Sequence, residues 1–251
     1  MLTLERLSCG YGAAIAVQDL DLRLAAGEVV ALIGPNGAGK TSTIQCIAGH
    51  VHLHSGRISL NGRDLGAASP QARVASGIAV APEGRRLFGD MTVRENLIVG
   101  GLCRPRAAAL RNMQRILTLF PRLSERIDAL ASTLSGGEQQ MVAIGRALMA
   151  EPRVLMIDEL SLGLMPKNVD ICYQAIEQLK GDGLAILLVE QSLSRTLQAA
   201  DRAYVLESGR LVWSGTAAEA RLRSDLIEAC MGLPSHGSFT RRPDSGQVQT
   251  S

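Results

Sequence analysis

Eight consecutive residues, Gly34-Pro35-Asn36-Gly37-Ala38-Gly39-Lys40-Thr41, satisfy the pattern GxxxxGK[ST] at every constrained position. Such a loop works only between a buried strand and a helix. Residues 28–33 are a short, mostly apolar run suited to a buried parallel strand, and residues 41–48 continue as a helix. Gly34, Gly37 and Gly39 let the backbone curl so that successive N–H groups point at phosphate oxygens, and the helix N-terminus adds partial positive charge. With Pro35, Asn36 and Ala38 completing the cradle, Lys40 reaches the β- and γ-phosphates. Thr41, with Ser42 beside it, offers a hydroxyl to Mg²⁺. A plain glycine turn is the alternative, but agreement of the motif with both flanks favours a nucleotide site that also holds Mg²⁺.

At 251 residues and 46% hydrophobic content the chain can bury a large core. With one Trp, three Tyr and three Phe, that core has to be aliphatic, as suits parallel strands covered on both faces. A formal charge of +2 argues against an electrostatic nucleic-acid binder of the kind that carries a dense basic face. Cys9, Cys46, Cys103, Cys172 and Cys230 stand singly and read as small core residues in a reducing compartment. No apolar run is long enough to span a membrane, and Glu5 and Arg6 interrupt any secretory signal, so the expected location is cytosolic. His50, His52 and His54 alternate as a metal site on an extended segment would, but a solvated turn is the favoured reading.

Residues 2–24 alternate imperfectly between apolar and polar, predicting antiparallel strands broken at Gly10-Tyr11-Gly12. Residues 56–62 give a short strand ending in an Asn-Gly turn. A helix over 70–76 and a strand over 78–81 follow. From Thr92 to about Leu130 the period is helical, with Leu97, Leu110, Met113, Ile116, Leu117 and Leu119 as inward positions. Strands resume over 154–157, 185–189 and 202–206. The predicted fold class is α/β: a phosphate-loop NTPase with a mainly parallel core sheet and an N-terminal antiparallel β subdomain. A largely helical subdomain is inserted at about 83–150. Residues 1–233 form the nucleotide-binding domain, and 234–251, rich in Ser, Gly, Thr, Arg and Gln, form a disordered tail.

The run Val154-Leu155-Met156-Ile157-Asp158-Glu159 puts two acids at the carboxyl end of a buried strand, where open α/β sheets bind ligands. Asp158 can hold the hydration shell of Mg²⁺, and Glu159 can orient or deprotonate the attacking water. Thr133-Leu134-Ser135-Gly136-Gly137-Glu138-Gln139-Gln140-Met141 precedes a further helix. A serine hydroxyl and glycine N–H groups at a helix start make a second phosphate site, although Ser-Gly-Gly alone reads equally as an ordinary helix cap.

At these residues the chain resembles the ATP-binding-cassette family, whose LSGGQ signature is matched by Leu134-Ser135-Gly136-Gly137-Glu138. The resemblance covers about residues 2–230. It implies that the signature of one subunit completes the ATP site of another, so that two cassettes close on nucleotide and open after hydrolysis. It also assigns Tyr11 to the aromatic that stacks on adenine and Val17 to the apolar contact beside it. Glu83, in Pro82-Glu83-Gly84-Arg85-Arg86, stands where most members have a glutamine that senses the γ-phosphate and Mg²⁺. Gln191, in Val189-Glu190-Gln191, stands where most have histidine. Leu160 replaces the usual proline after the acids and implies less local rigidity beside Glu159.

PEGRR, LSGGEQQM, SLGL and VEQ in this order look like the second ATPase subunit of branched-chain amino-acid importers. That resemblance implies a peripheral protein on the cytoplasmic face of the cell membrane. Its partners would be membrane permease subunits, a second homologous ATPase and, indirectly, a solute-binding protein, with no nucleic acid. Residues 83–91 are the candidate permease-facing surface. A urea, amide or lipid transporter, or a soluble cassette ATPase, is the alternative function.

Overall fold

In the computed structural model, which describes residues 1–191 and 193–223, the chain opens with a hairpin of β1 (Leu2–Tyr11) and β2 (Ala14–Leu24). β3 (Val29–Ile33) runs through the phosphate loop into α1 (Lys40–Ala48). β4 (His52–Leu60) and β5 (Arg63–Asp64) are joined by Asn61 and Gly62 at φ 51° and 80°, as a two-residue hairpin with right-handed twist requires. α2 (Pro70–Ala75) leads to β6 (Ile78–Ala81). Then come α3 (Val93–Gly100), α4 (Arg106–Leu119), α5 (Pro121–Glu125) and α6 (Gly136–Leu148). β7 (Val154–Asp158), α7 (Pro166–Gly181), β8 (Ala185–Glu190), α8 (Leu193–Ala199) and β9 (Arg202–Glu207) follow. β10 (Arg210–Thr216) and α9 (Ala217–Leu222) close the described chain.

Two sheets result, with strand orders β2-β1-β4-β5 and β10-β9-β3-β8-β7-β6. The first is antiparallel; the second is parallel except for β10. Period-2 alternation in strands buried on both faces divides the apolar residues between two cores. Val29, Ala31 and Ile33 pack with the helices α3 to α9, whereas Val30 and Leu32 pack with α1 and the antiparallel sheet. β7 and β8 split in the same way, Leu155 and Ile157 to one side and Val154 and Met156 to the other. This α/β architecture, with its added antiparallel sheet, is the fold class that the sequence predicts.

Several local expectations are corrected. β10 has no counterpart in the sequence reading; its alternating, half-exposed pattern is that of an edge strand. Leu110 is 53% exposed, on the outer face of α4, because Asn112, Met113 and Ile116 supply the inward stripe. His52 and His54 lie on β4 and not in a turn, with their rings edge-to-face at 4.9 Å. No cluster of three or more metal-ligating side chains exists among the described residues. Cys9, Cys46 and Cys172 are buried as expected, but Cys103 is exposed. Leu160, at the position read as proline in most of the family, is fully buried in the core. Cys230 and the tail 234–251 lie outside the described residues.

Candidate functional site

β3 delivers the phosphate loop to the carboxyl edge of the parallel sheet. Gly39 sits at φ 100°, and a Cβ there would lie 2.6 Å from Val17 Cγ2 and 2.9 Å from the Ala16 carbonyl oxygen. Only glycine fits. Val17 is therefore beneath the loop, fully buried, and supports it from the core side without entering the ligand space. Gly34 approaches the Leu206 carbonyl oxygen so closely that a Cβ would fall at 2.3 Å. The Gly209 N–H donates to the Ala38 carbonyl at 3.1 Å, so the turn after β9 holds the loop from behind.

The loop opens on a cavity of about 790 Å³, within the range of small-molecule sites. Asn36, Gly37, Gly39, Lys40, Thr41 and Ser42 line one wall; Glu83, Glu159 and Gln191 face them. Ile15, Ala16, Leu162 and Ser208 complete the lining and were not singled out from sequence. Tyr11 lies outside this lining and is 59% exposed beside the β1–β2 turn. Ile15, 55% exposed, is the apolar side chain that the structure places at the cavity wall.

Lys40 is buried, its Nζ donating to the Gly34 and Pro35 carbonyls at 2.7 and 2.9 Å. Burial pulls its ammonium below the usual lysine range, against the opposing attraction of Glu159, Asp158, Glu190 and Glu83. Its charge is thus held at the mouth of the loop without an ion-pair partner among the described residues, ready for an anion.

Asp158 ends β7 at 1% exposure. Thr41 Oγ1 donates to its Oδ1 over 3.4 Å, and its Oδ2 is buried with no partner among the described residues. An orphaned carboxylate oxygen is costly in an apolar setting, and a hydroxyl beside it supplies the hard oxygen donors that Mg²⁺ prefers. The residues present therefore fit the cation, with the exposed Glu83 on the opposite wall as a further oxygen.

Burial pushes the Asp158 carboxyl up to about 6; Glu83 and Glu159 add to the shift while Thr41 and Lys40 oppose it. Between about pH 4 and 6 the native chain thus holds a proton that the unfolded chain, at about 3.9, has released. The sign follows: the destabilisation is absent below about pH 4 and grows as pH rises through about 6. At about pH 7 it reaches on the order of 2–3 kcal/mol. Asp158→Asn is expected to raise the melting temperature of the nucleotide-free chain by several degrees at about pH 7, and by less at about pH 5. Thermal melts at the two pH values check this; a lowered midpoint at both would contradict it.

Glu159 follows at φ 53°, a left-handed conformation costing a side-chain-bearing residue about 1–2 kcal/mol. Its N–H donates to the Val189 carbonyl at 2.9 Å, and its Oε1 accepts from Gln191 Nε2 at 2.7 Å. The same Nε2 donates to Asn36 Oδ1 at 2.6 Å, tying the acid to the phosphate loop. Gln191 therefore orients Glu159, with no proton of its own to give.

The signature is placed differently. Ser135 caps α6 and, with Glu138, forms a capping box: Glu138 N–H donates to Ser135 Oγ at 3.3 Å and Ser135 N–H to Glu138 Oε2 at 2.9 Å. Glu138 Oε1 accepts from Arg122 Nε at 3.0 Å. Both oxygens of Glu138 are thereby engaged, so this residue supports the turn and is not free to meet a phosphate. Ser135, Gly136 and Gly137 do not line the phosphate-loop cavity. Arg85 spans between α6 and the segment after β7, with Nη1 donating to Gln139 Oε1 at 3.2 Å and Nη2 reaching the Leu162 carbonyl at 3.5 Å.

The chain matches the family described as ABC transporter over residues 17–161. It is 43% identical to the high-affinity branched-chain amino acid transport ATP-binding protein BraG of Pseudomonas aeruginosa, covering 92% of this chain and 100% of the relative. It is 36% identical to a probable branched-chain amino acid transport ATP-binding protein, LivF of Archaeoglobus fulgidus, over 93% and 99%. A solved ATP-binding subunit of an ABC transporter superposes with a TM-score of 0.79 at 32% identity, covering 92% of this chain and 96% of that one. A second solved cassette, in its ADP conformation, gives 0.80 at 27% identity over 89% and 93%. Phosphate loop, acidic strand, signature helix and whole-length likeness thus agree, and the chain belongs to the ATP-hydrolysing subunits of the ABC transporter family.

Proposed function

We propose that this chain drives import of branched-chain or other hydrophobic amino acids across a membrane. Its partners in this reading are two permease subunits and a second cassette, all fed by a solute-binding protein. The observation that carries the reading is the 43% identity to BraG, which runs the full length of that relative. No helix among the described residues is long and apolar enough to cross a membrane. In this reading the subunit sits peripherally on the cytoplasmic face, beneath the permeases.

In this mechanism Lys40 and the N–H groups of residues 37–41 hold the ATP phosphates. Thr41, Asp158 and Glu83 would hold Mg²⁺, which neutralises phosphate charge when bound. Glu159, aimed by Gln191, takes a proton from the attacking water. Ser135 and the N–H groups of Gly136 and Gly137, lying outside their own chain's cavity, complete the partner's site. Residues 83–91 face the permease: Phe88 is 47% exposed, while Asn96 Oδ1 and Nδ2 clasp the Phe88 backbone from within at 3.0 Å each.

The test is uptake of labelled leucine, isoleucine and valine by cells whose own copy carries Glu159→Gln. Uptake is expected to fall to background while an unrelated solute enters normally. Unchanged uptake of all three would overturn the cargo assignment and leave the ATPase assignment standing.

A further inference from the structure

Glu190, the last residue of β8, is a buried carboxylate with no part in the mechanism above. It is 2% exposed. Its Oε1 accepts from the Ser161 N–H at 2.8 Å and its Oε2 from the Ser161 hydroxyl at 3.0 Å. Burial pushes this carboxyl above the usual range, the Ser161 bonds opposing. A charge kept out of water in this way needs partners of high quality, and both of its oxygens have one.

Two residues of one segment, Glu159 and Ser161, are thereby pinned to three consecutive residues of another. Glu159 N–H meets the Val189 carbonyl, Ser161 meets Glu190, and the Glu159 carboxylate meets Gln191. Between them Leu160 is fixed by burial. Glu159 needs such restraint because its φ of 53° is one that an unrestrained chain leaves. Ser161 is the first residue beyond the strained turn that has a side-chain anchor on β8.

We propose that Glu190 is a positioning residue for hydrolysis, holding the Glu159 carboxylate in its working orientation through the two Ser161 hydrogen bonds. The proposal rests on Glu159 being the group that activates water. Glu190 does not line the phosphate-loop cavity and acts on the Glu159 orientation through that turn.

The experiment is steady-state ATP hydrolysis with a parallel measurement of ATP affinity. Glu190→Ala is expected to lower kcat by about tenfold or more, with ATP affinity within about twofold of the parent. Glu190→Gln keeps a carbonyl acceptor for the Ser161 N–H, so it is expected to restore kcat to within about threefold. In a Glu159→Gln background, Glu190→Ala is expected to cause no further loss, since both changes act on one group. Full kcat in Glu190→Ala, or losses that multiply in the double variant, would overturn the proposal. If Glu190→Ala does not fold, Ser161→Ala, which removes one of the two bonds, is expected to lower kcat about threefold at unchanged affinity; unaltered kcat there overturns it too. A Glu159→Gln chain with full turnover would instead refute the underlying assignment of the base.

Discussion

Glu159→Gln is expected to lower ATP turnover by at least about a hundredfold while leaving ATP affinity intact or slightly improved. Glutamine keeps the volume and one acceptor oxygen, so the bond from Gln191 Nε2 at 2.7 Å can persist and the turn at φ 53° need not move. What disappears is the basic oxygen and its negative charge. Loss of the base removes general-base assistance, and loss of the charge relieves repulsion with the phosphates that Lys40 holds across the cavity. Phosphate release under single-turnover conditions, beside direct ATP titration, separates the two effects. Turnover within about threefold of the parent would remove Glu159 from its assigned role.

The second large effect concerns Ser135. Its replacement by arginine is expected to lower turnover about a hundredfold, the scale seen when a transition-state donor is lost, while the isolated chain binds ATP as before. The separation arises because residues 135–137 lie off the cavity that their own phosphate loop lines. Part of the change is local: Ser135 caps α6, and losing a cap costs about 1 kcal/mol, or a few degrees in a chain of this size. Assays well below the melting midpoint remove that contribution. Mixing the variant with an excess of Glu159→Gln chain tests the trans arrangement, because each composite dimer then pairs one intact base with one intact signature. Loss of ATP binding by the lone variant would place the signature in its own chain's site and contradict the two-chain arrangement.

Contiguous patterns carried most of what could be read in advance. The phosphate loop, the apolar run ending in Asp158 and Glu159, and β8 with Gln191 directly after it each pack strand type and chemistry into a few adjacent residues. The parallel sheet followed from the same runs, since strands buried on both faces leave unbroken apolar segments. Ile15, Ala16, Leu162 and Ser208 were not legible because they reach the cavity by tertiary approach from hairpin and loop tips. Glu138 is a different case. Ser135-Gly136-Gly137-Glu138 has the spacing of a capping box, and that local signal outweighs a phosphate role for the glutamate. Val17 illustrates the limit of alignment by resemblance: the close passage of Gly39 over its Cγ2 puts it under the loop, and neighbouring Ile15 meets the cavity. Glu190 was invisible as a functional candidate because its partner, Ser161, lies 29 residues earlier.

The most direct test of the transporter account is affinity purification of the tagged Glu159→Gln chain, with ATP in mild detergent, followed by mass identification of everything retained. Slow hydrolysis holds the closed state, so the assembly is captured intact. Two permease subunits and a second cassette are the predicted companions, with a solute-binding protein for hydrophobic amino acids associated with them. Recovery of soluble partners alone, such as ribosomal or repair proteins, would contradict the account.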